Sequence, residues 1–348
     1  MSDYGSHGGE MLNEREFQII QSGKGISVTR PKLEEIFDRG AFKGEIKFDE
    51  PLSAHTSLKI GGPADIMIFP EDVVSLKHVL VTASREIIPV FVLGAGTNLL
   101  VKDGGIDGIV VSLKAFRNVE VIPNIERIAP HCIPRDDLEA YVALYVESGK
   151  PLGGLIDFVS RNGLSGIEPL AGIPGTFGGA LSMNAGSFGT EIKDVIISVA
   201  FMNMNGDIVI VEKENLKFSY RELHAPGDAV IISGNIVLKK NSPESVVRHV
   251  KDFLKKKQQK QPLSEVSAGC VFKNPADEAA GRLIDNAGCK GMHVGDAEVS
   301  TIHANYFINR GRASARDFLN LMERVNKKVR EFSGIALEPE IRVIGREE

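Results

Sequence analysis

Three short segments of the chain carry side chains that could act on a bound molecule. Arg221 ends the sequence Ser219-Tyr220-Arg221, Cys270 lies in SAGCVFKNP, and Glu340 lies in LEPEIRV. An arginine is a permanent cation, a thiol can act as an acid or a nucleophile, and a carboxyl group can act as an acid or a base. Taken singly each is ordinary, because surface arginines and glutamates are usually solvated and a lone cysteine is usually a small buried apolar residue. They predict a site only in combination.

Residues 166–189 are the most glycine-rich part of the chain, with seven glycines and one charged side chain in GIEPLAGIPGTFGGALSMNAGSFG. A second segment of this kind, VLGAGTNLLV, spans residues 92–101. Glycine permits positive φ and lets main-chain N–H groups approach a ligand, and successive N–H groups form anion-binding concavities. The two segments together predict one extended ligand that contains a phosphate. The alternative is that both are tight turns of a β-rich domain.

The segment VLGAGTNLLV does not match the dinucleotide fingerprint of a Rossmann fold. The position of the third glycine is occupied by Leu99, and residues 98–102 are typical of extended chain, not of the helix that the fingerprint requires. A flavin or nucleotide pyrophosphate held by loop amides outside that fold is still compatible with the sequence.

Composition limits the function further. The chain has 348 residues, a net charge of -5 and a mean hydropathy of -0.03. This length allows two or three domains, and the charge provides no general attraction for nucleic acid or an anionic membrane. No apolar run approaches a membrane span and the N-terminus has no signal-peptide layout, so we expect a cytoplasmic protein without membrane insertion. Three cysteines (Cys132, Cys270 and Cys289) without a CxxC pair argue against a disulfide frame or a metal site.

Apolar spacing and turn residues predict the elements that hold these segments. Residues 71–86 place Val73, Leu76, Leu80 and Ala83 on one helical face, within a small βαβ-like region that ends near residue 113.

In the following region, Asn205-Gly206 predicts a β-hairpin and Asn162-Gly163 predicts the end of a helix. Beyond residue 240, Ser242-Pro243 and Ser314 each predict the start of a helix. Lysines fill the rest of the first of these helices, as is typical of a solvated face.

Eight motifs occur in order between Leu52 and Gly345: TSLKIGGPAD, LGAGTNLLV, GLSGIEPLAGIPGTFGGALSMNAG, SYRE, SAGCVFKNP, AAGRLIDNAGCKG, HANYFIN and LEPEIRVIG. In these motifs the chain resembles the UDP-N-acetylenolpyruvoylglucosamine reductase family. The resemblance implies an α+β fold, in which a two-subdomain FAD-binding unit of the p-cresol methylhydroxylase type is joined to an α+β substrate-binding domain. It places an extension at 1–45, FAD subdomain 1 at 46–113 and 337–348, subdomain 2 at 114–240, and the substrate-binding domain at 241–336.

The resemblance also implies a reaction. NADPH reduces FAD, and a hydride then passes to the double bond of a UDP-sugar enolpyruvyl ether, which yields UDP-N-acetylmuramate for peptidoglycan. By motif, Arg221 and Glu340 stabilise the charge that develops on the substrate, and Cys270 takes the place of a serine that donates the proton in many members. We expect the pH dependence of the reaction to differ from that of a serine enzyme, because a free thiol has a pKa of about 8.5, which its surroundings shift. No tyrosine lies between Arg221 and Cys270, which matches the short-loop class that lacks a tyrosine-bearing lid.

Further residues are assigned by the same motifs. The expected substrate contacts are Tyr220, Lys260, Asn274 and His303. The expected FAD contacts are Gly94, Ala95, Gly96, Thr97, Asn98, Leu99, Gly172, Pro174, Gly175, Gly178, Gly179, Asn184, Ala185 and Gly186. We expect the chain to act on these small molecules as a monomer.

Three alternatives accompany this interpretation. An FAD-dependent sugar oxidase of the same superfamily would share the glycine-rich segments but would not need Arg221, Cys270 and Glu340 in this arrangement. A cysteine hydrolase would use Cys270 with His303 as its base, yet the sequence around Cys270 lacks a strand-turn-helix nucleophile context. A non-catalytic nucleotide-binding protein would explain the glycines alone.

Overall fold

The structure is a computed structural model that describes residues 19–20, 42–123, 125 and 135–347. Most of the extension expected at 1–45 lies outside these residues, as does Cys132. Within the described part of the chain, no helix has both the length and the apolar character that crossing a membrane requires.

Short strands and six α-helices make up most of the described chain. The strands are β1 (Ile19–Ile20), β2 (Gly44–Pro51), β3 (Pro63–Pro70), β4 (Val90–Leu93), β5 (Leu99–Val101), β6 (Ile106–Ser112), β7 (Val119–Ile122), β8 (Tyr141–Glu147), β9 (Leu164–Ser165), β10 (Gly186–Ser187), β11 (Thr190–Glu191), β12 (Ile196–Asn203), β13 (Ile208–Glu212), β14 (Lys217–Ser219), β15 (Glu222–His224), β16 (Ala229–Lys240), β17 (Ser267–Cys270), β18 (His293–Val294), β19 (Ala297–Val299), β20 (Tyr306–Asn309) and β21 (Arg342–Ile344). The helices are α1 (Val73–Arg85), α2 (Leu152–Arg161), α3 (Phe177–Ser182), α4 (Pro243–Gln258), α5 (Ala280–Asn286) and α6 (Ala315–Ser333).

The first region is a five-stranded sheet in the order β1-β4-β6-β3-β2, covered by α1. Strands β3 and β4 both pair in parallel with β6, which is the arrangement expected of a βαβ unit. Helix α1 begins after Asp72, whose carboxylate acts as an N-cap by accepting a hydrogen bond of 2.8 Å from the Ser75 amide. Leu76, Leu80 and Ala83 are buried as predicted, whereas Val73 at the helix start is 38% exposed.

The second region is an antiparallel sheet in the order β13-β12-β16-β8-β7, to which β9 adds on β16. The predicted hairpin is confirmed: β12 and β13 pair antiparallel across the turn at Asn205-Gly206, and Gly206 has φ +76°. Helix α2 ends at Asn162, and Gly163 follows with φ +62°, as expected for a helix end of this type. Helices α2 and α3 pack on this sheet around Phe177.

The third region pairs β17, β20, β19 and β18 into an antiparallel sheet against α5 and α6. Ser314 caps α6 and forms a capping box with Asp317, as its position before the apolar spacing predicts. The core of this region also takes in Leu58 and Leu100 from the first region. The third region is therefore packed directly against the first.

Helix α4 packs on the second region. Its apolar residues Val246, Val250 and Leu254 face α2 and the core around Phe177, and the core beneath α6 contains no residue of α4. The expected domain boundary at residue 240 would separate α4 from the core that covers its apolar face. We therefore propose that the domain boundary lies after α4.

The C-terminal strand returns to the first region. Strand β21 pairs in parallel with β5, and the Asp103 carboxylate accepts hydrogen bonds from the amides of Ala315 (2.8 Å) and Arg316 (3.0 Å) at the start of α6. These contacts fix the first and third regions relative to each other, and they carry Glu340 towards the second glycine-rich segment.

Candidate active site

Arg221 is presented by a tight hairpin. Strands β14 and β15 pair so that Ser219 faces Glu222, which leaves Tyr220 and Arg221 as the two turn residues. Arg221 has φ +59°, a left-handed conformation that costs a non-glycine residue about 1–2 kcal/mol. Such strain persists where the surrounding structure holds the residue in place, and it is common at functional sites.

The guanidinium of Arg221 reaches the C-terminal segment. Its Nε donates a hydrogen bond of 2.9 Å to Oε1 of Glu340, and its Nη1 lies 3.4 Å from the carbonyl oxygen of Gly186. The Arg221 side chain is 26% exposed and that of Glu340 is 14% exposed. The pair is therefore largely desolvated.

Glu340 is held through its backbone. Its amide donates to the carbonyl oxygen of Val271 (2.7 Å), and its own carbonyl accepts from Nδ2 of Asn98 (3.1 Å). Burial raises the pKa of the Glu340 carboxyl above its ordinary value, and the nearby Arg221 acts against that rise. The hydrogen bond to Val271 also places Glu340 beside the residue that follows Cys270.

Cys270 ends strand β17 directly opposite Tyr306 on β20. The preceding Gly269 has φ +80°, and the pairing register shifts between Ser267 and Cys270. Asn305 holds the next part of the chain, because its side chain accepts from the Phe272 amide (2.9 Å) and donates to the Phe272 carbonyl (2.7 Å).

Burial raises the pKa of the Cys270 thiol to about 12, with the Glu340 carboxylate acting in the same direction and Arg221 in the opposite one. The thiol pKa at this site therefore lies well above the value of about 8.5 for a free thiol, because the thiolate is poorly solvated there. Glu340 contacts Arg221 through its side chain and Val271, next to Cys270, through its backbone, so the three residues lie together. Three segments that are far apart in sequence thus form one site.

The two glycine-rich segments are neighbours. The Thr97 hydroxyl donates to the Pro174 carbonyl (3.2 Å), and a Cβ atom at Gly94 would lie 3.2 Å from Oγ1 of Thr176. A Cβ at Gly175 would meet Oγ1 of Thr97 at 3.2 Å. The segments therefore form one continuous surface, as a single extended ligand requires.

The glycines have two different roles. A Cβ at Gly96 would lie 2.3 Å from the His55 carbonyl oxygen, and one at Gly178 would lie 2.6 Å from Cβ of Ser148. At these two positions the protein itself occupies the space that a side chain would need, so packing alone already requires glycine there. At Gly94, Gly175 and Gly179 the nearest atoms are threonine hydroxyls, so the backbone there is open to a ligand.

The other expected FAD contacts differ in what they offer. Gly172 meets the side chains of Leu254 and Lys257, and Gly186 meets that of Glu191. Leu99 and Ala185 have buried side chains within apolar cores, so only their backbone atoms are available to a ligand.

A buried polar atom without a partner indicates that a surface suits a bound cofactor, and Asn184 has such an atom. It is fully buried with φ +37°, and its Nδ2 donates to the Ser219 carbonyl (3.3 Å). Its Oδ1 has no hydrogen-bond partner among the described residues. A buried acceptor left in this way costs about 1–3 kcal/mol, and a donor group on a bound molecule would remove that cost. The residues present therefore fit FAD.

A cavity of about 330 Å³ continues from the second glycine-rich segment, residues 92–101. Gly94 and Ala95 border it together with His55, Lys59 and Lys114. This space takes only part of a dinucleotide, and its basic lining suits an anionic or polar part of one.

Two expected substrate contacts lie at the site. The Tyr220 ring centre is 5.2 Å from Cζ of Arg221, and Asn274 lies in the segment that follows Cys270. The Asn274 side chain is partly committed to the fold, because its Oδ1 accepts from the Ala280 amide (3.0 Å) at the start of α5.

The other two expected substrate contacts are His303 and Lys260. His303 packs edge-on against Tyr306 with ring centres 4.9 Å apart, its Nδ1 accepts from the Asn305 amide, and burial lowers its pKa. Lys260 is exposed just beyond α4, and its described hydrogen bond is from its backbone amide to Lys257.

The structure argues against the cysteine hydrolase. A nucleophilic cysteine needs a thiol pKa that is lowered by its surroundings, whereas burial raises the pKa of Cys270. The Nδ1 atom of His303 is already occupied by a backbone amide.

Sequence reasoning missed two residues near these segments. Tyr306 lies opposite Cys270, and nothing in their spacing of 36 positions indicates that the two strands pair in this register. Lys257 belongs to the predicted solvated face of α4 but is only 4% exposed, and its Nζ donates to the Ala171 carbonyl (2.6 Å) beneath the glycine-rich segment.

Comparison with known proteins relates the chain to one family. Residues 261–344 match the C-terminal domain of UDP-N-acetylenolpyruvoylglucosamine reductase, and residues 64–212 match an FAD binding domain. The match to the C-terminal domain begins after α4.

Individual relatives agree. The chain is 37% identical to a UDP-N-acetylenolpyruvoylglucosamine reductase of Geotalea uraniireducens (strain Rf4) over 88% of this chain and 96% of that protein. It is 38% identical to the reductase of Clostridium novyi (strain NT), over 91% and 96% of the two chains. The crystal structure of the reductase from Thermus caldophilus superimposes with a TM-score of 0.71 at 33% identity and covers 87% of this chain and all of that one. The predicted fold class and the predicted FAD cofactor are confirmed.

Proposed function

The chain belongs to the UDP-N-acetylenolpyruvoylglucosamine reductase family, and on this premise we propose which of its residues perform each part of the reaction. It is an FAD-dependent oxidoreductase, a UDP-N-acetylmuramate dehydrogenase of peptidoglycan precursor synthesis, with NADPH as the reductant. The proposal concerns the residue roles and rests on one observation: Arg221, Cys270 and Glu340 converge beside the joined glycine-rich segments.

FAD, when bound, carries the hydride from NADPH to the enolpyruvyl double bond. We propose that the backbone at Gly94, Gly175 and Gly179 and the unpaired Oδ1 of Asn184 hold it. Thr97 and Thr176 support this surface through their hydroxyl groups. Gly96 and Gly178 contribute indirectly, since their lack of a side chain lets the segments pack against His55 and Ser148.

Arg221 is proposed to bind the substrate carboxylate. Its Nε donates to Glu340 and its Nη1 to the Gly186 carbonyl, so among the described contacts Nη2 and the second N–H of Nη1 are the donors left for a ligand. The planar group can stabilise the negative charge that develops on the carboxylate and the α carbon during hydride addition. Glu340 orients the guanidinium, and the raised pKa of its carboxyl favours uptake of a proton when an anion arrives.

Cys270 is proposed to donate the proton to the α carbon. Because burial raises its pKa to about 12, the sulfur carries its proton throughout the physiological range. As the proton moves to the carbon, the S–H bond breaks and the sulfur keeps its electron pair as a thiolate. Arg221 lowers the free energy of that thiolate because its positive charge lies beside the site.

The remaining substrate contacts follow from position. Tyr220 and Asn274 lie against the site and are proposed to contact the sugar nucleotide. His303 and Lys260 are proposed by motif, Lys260 as a point charge for a diphosphate. We propose that the enzyme acts as a monomer in the cytoplasm, where its NADPH and nucleotide-sugar substrates are found, and that it belongs to the short-loop class of its family.

An anaerobic half-reaction tests the proposal. The FAD-loaded enzyme is reduced with NADPH, and UDP-N-acetylenolpyruvoylglucosamine is then added while flavin absorbance is recorded. Rapid reoxidation with formation of UDP-N-acetylmuramate is expected. A flavin that stays reduced after addition of this compound would overturn the assigned substrate, and a protein that takes up no FAD would overturn the cofactor site.

A further inference from the structure

Tyr306 is a buried tyrosine that has no role in the reaction proposed above. It is 9% exposed and sits opposite Cys270, where β17 pairs with β20. Its amide donates to the His303 carbonyl (2.9 Å), and its carbonyl accepts from the Ser300 amide (2.8 Å). Its ring packs edge-on against that of His303. Backbone and ring are thus both fixed, and the hydroxyl position is set by the fold.

Tyr306 and Cys270 are directly opposite each other in the antiparallel pair of β17 and β20, so their side chains lie on the same face of the sheet. Arg221 and Glu340 lie beside Cys270 as well, because Glu340 contacts Arg221 through its side chain and Val271 through its backbone. Of these two, only Arg221 favours a negative sulfur, by its charge. Burial and the Glu340 carboxylate both oppose the thiolate.

When Cys270 donates its proton it becomes a thiolate, which burial and the Glu340 carboxylate disfavour. Nδ2 of Asn305 already donates to the Phe272 carbonyl at 2.7 Å, and Nε of Arg221 is held by Glu340. The phenolic O–H of Tyr306 is a donor on the sheet face that carries this sulfur, and no hydrogen bond to a described backbone group takes it up. A hydrogen bond from a neutral O–H to a charged acceptor is about twice as strong as one to a neutral acceptor. It therefore stabilises the thiolate more than the thiol.

We propose that Tyr306 donates a hydrogen bond to the Cys270 sulfur and stabilises the thiolate that remains after Cys270 has protonated the substrate. The inference rests on the proposed role of Cys270 as the proton donor. In this step the S–H bond breaks, the C–H bond forms at the α carbon, and the phenolic O–H bond stays intact. A proton from solvent later restores the thiol. Tyr306 is thus a positioning residue that acts through Cys270.

The variant Tyr306→Phe tests the proposal, with Tyr145→Phe as its control. Tyr145 is also a partly buried tyrosine, and it lies on β8 of the second sheet, away from Cys270. Tyr306→Phe should keep FAD and be reduced by NADPH at the native rate. Its reoxidation by UDP-N-acetylenolpyruvoylglucosamine should slow by about 10- to 100-fold, as expected for loss of a hydrogen bond to a charged group. Tyr145→Phe should match the native enzyme in both steps.

A second measurement distinguishes thiolate stabilisation from packing. The rate at which iodoacetamide alkylates Cys270 at pH 9, followed by mass spectrometry of the peptide that contains it, reports the fraction of thiolate. That rate should fall about tenfold or more in Tyr306→Phe. Incorporation of 3-fluorotyrosine at position 306, which makes the phenol a stronger donor, should raise it. If Tyr306→Phe loses FAD, the fluorotyrosine protein carries the test, and an unchanged alkylation rate in that protein overturns the proposal.

Failure of this inference is separable from failure of the proposed function. If Cys270→Ala is reoxidised by substrate at the native rate, the assigned proton donor is wrong and the role of Tyr306 fails with it. If Cys270→Ala is slow but Tyr306→Phe is native in both reoxidation and alkylation, only the Tyr306 inference is overturned.

Discussion

Arg221 and Glu340 are 119 positions apart in the chain, yet Nε of one lies 2.9 Å from Oε1 of the other. The contact joins the β14–β15 hairpin to the segment before β21, which is itself anchored on β5. The backbone of Glu340 is bound to Val271, next to Cys270. Glu340 thus connects Arg221 with the segment that carries Cys270, so a substitution of Glu340 should disturb both residues.

Two substitutions of Arg221 should separate its backbone strain from its chemistry. Arg221→Gly and Arg221→Ala both remove the guanidinium, but only glycine adopts φ +59° without steric cost. We expect Arg221→Gly to be more stable than Arg221→Ala by about 1 kcal/mol in urea unfolding, while both are equally slow in reoxidation by substrate. Equal stability of the two variants would show that the turn carries no strain at this residue.

Cys270 should be needed in one half-reaction only. Cys270→Ala should be reduced by NADPH like the native enzyme but reoxidised by substrate about 10²- to 10⁴-fold more slowly, the usual contribution of a positioned acid. Cys270→Ser should retain much more activity, because a hydroxyl can donate from nearly the same point. Stopped-flow measurement of both half-reactions checks this, and native reoxidation by Cys270→Ala would contradict it.

The pH dependence of reoxidation should show the effect of burial on the thiol. A group acts as an acid only below its pKa, and burial raises the pKa of Cys270 to about 12. The native enzyme should therefore show no loss of reoxidation rate from thiol ionisation below about pH 11, one unit under that pKa. Cys270→Ser should have the same profile up to that pH. An alkaline limb near about pH 8.5 in the native enzyme that disappears in Cys270→Ser would indicate an ordinary thiol.

Two neighbouring glycines in α3 should respond differently to alanine. In Gly178→Ala the new Cβ would lie 2.6 Å from Cβ of Ser148, so we expect the free energy of unfolding of the apoprotein to fall by about 1–3 kcal/mol. In Gly179→Ala the nearest atom is Oγ1 of Thr176 at 3.4 Å, so stability should hold while FAD affinity falls. Urea unfolding and FAD titration of both variants check this. Native FAD affinity in a stable Gly179→Ala protein would remove this position from the cofactor surface.

Lys257 should make stability depend on pH in the alkaline range. Burial lowers its pKa from 10.5 to about 8, so between these values the unfolded chain binds a proton that the folded protein lacks. The free energy of unfolding contributed by this residue should therefore rise with pH across that window, by at most about 1.4 kcal/mol per pH unit.

The variant Lys257→Met isolates that contribution, because other groups that titrate in this range are common to both proteins. Native stability relative to Lys257→Met should increase between pH 7.5 and pH 10 in urea unfolding, within the window from about pH 8 to pH 10.5. A difference that stays constant over this range would mean that the buried amine titrates as it does in the unfolded chain.

The sequence alone was sufficient for the family, the cofactor and the limits of several elements. Eight motifs in a fixed order carried the resemblance, and the cap at Ser314 and the turn at Asn205-Gly206 lie where their residue types predict. These features depend on interactions over a few positions, such as a side-chain oxygen that accepts from an amide three residues later. Such interactions can be recognised in a linear sequence.

Tertiary structure alone decided the environment of each reactive group. Tyr306 faces Cys270 because two strands pair in one register, Lys257 is buried because α4 packs on the second region, and Gly178 is needed because α3 touches Ser148. The pKa of Cys270 depends in the same way on burial and on charges that come from positions 221 and 340. Burial and proximity between distant segments are set by how the regions pack, and residue types and local spacing carry little information about that packing.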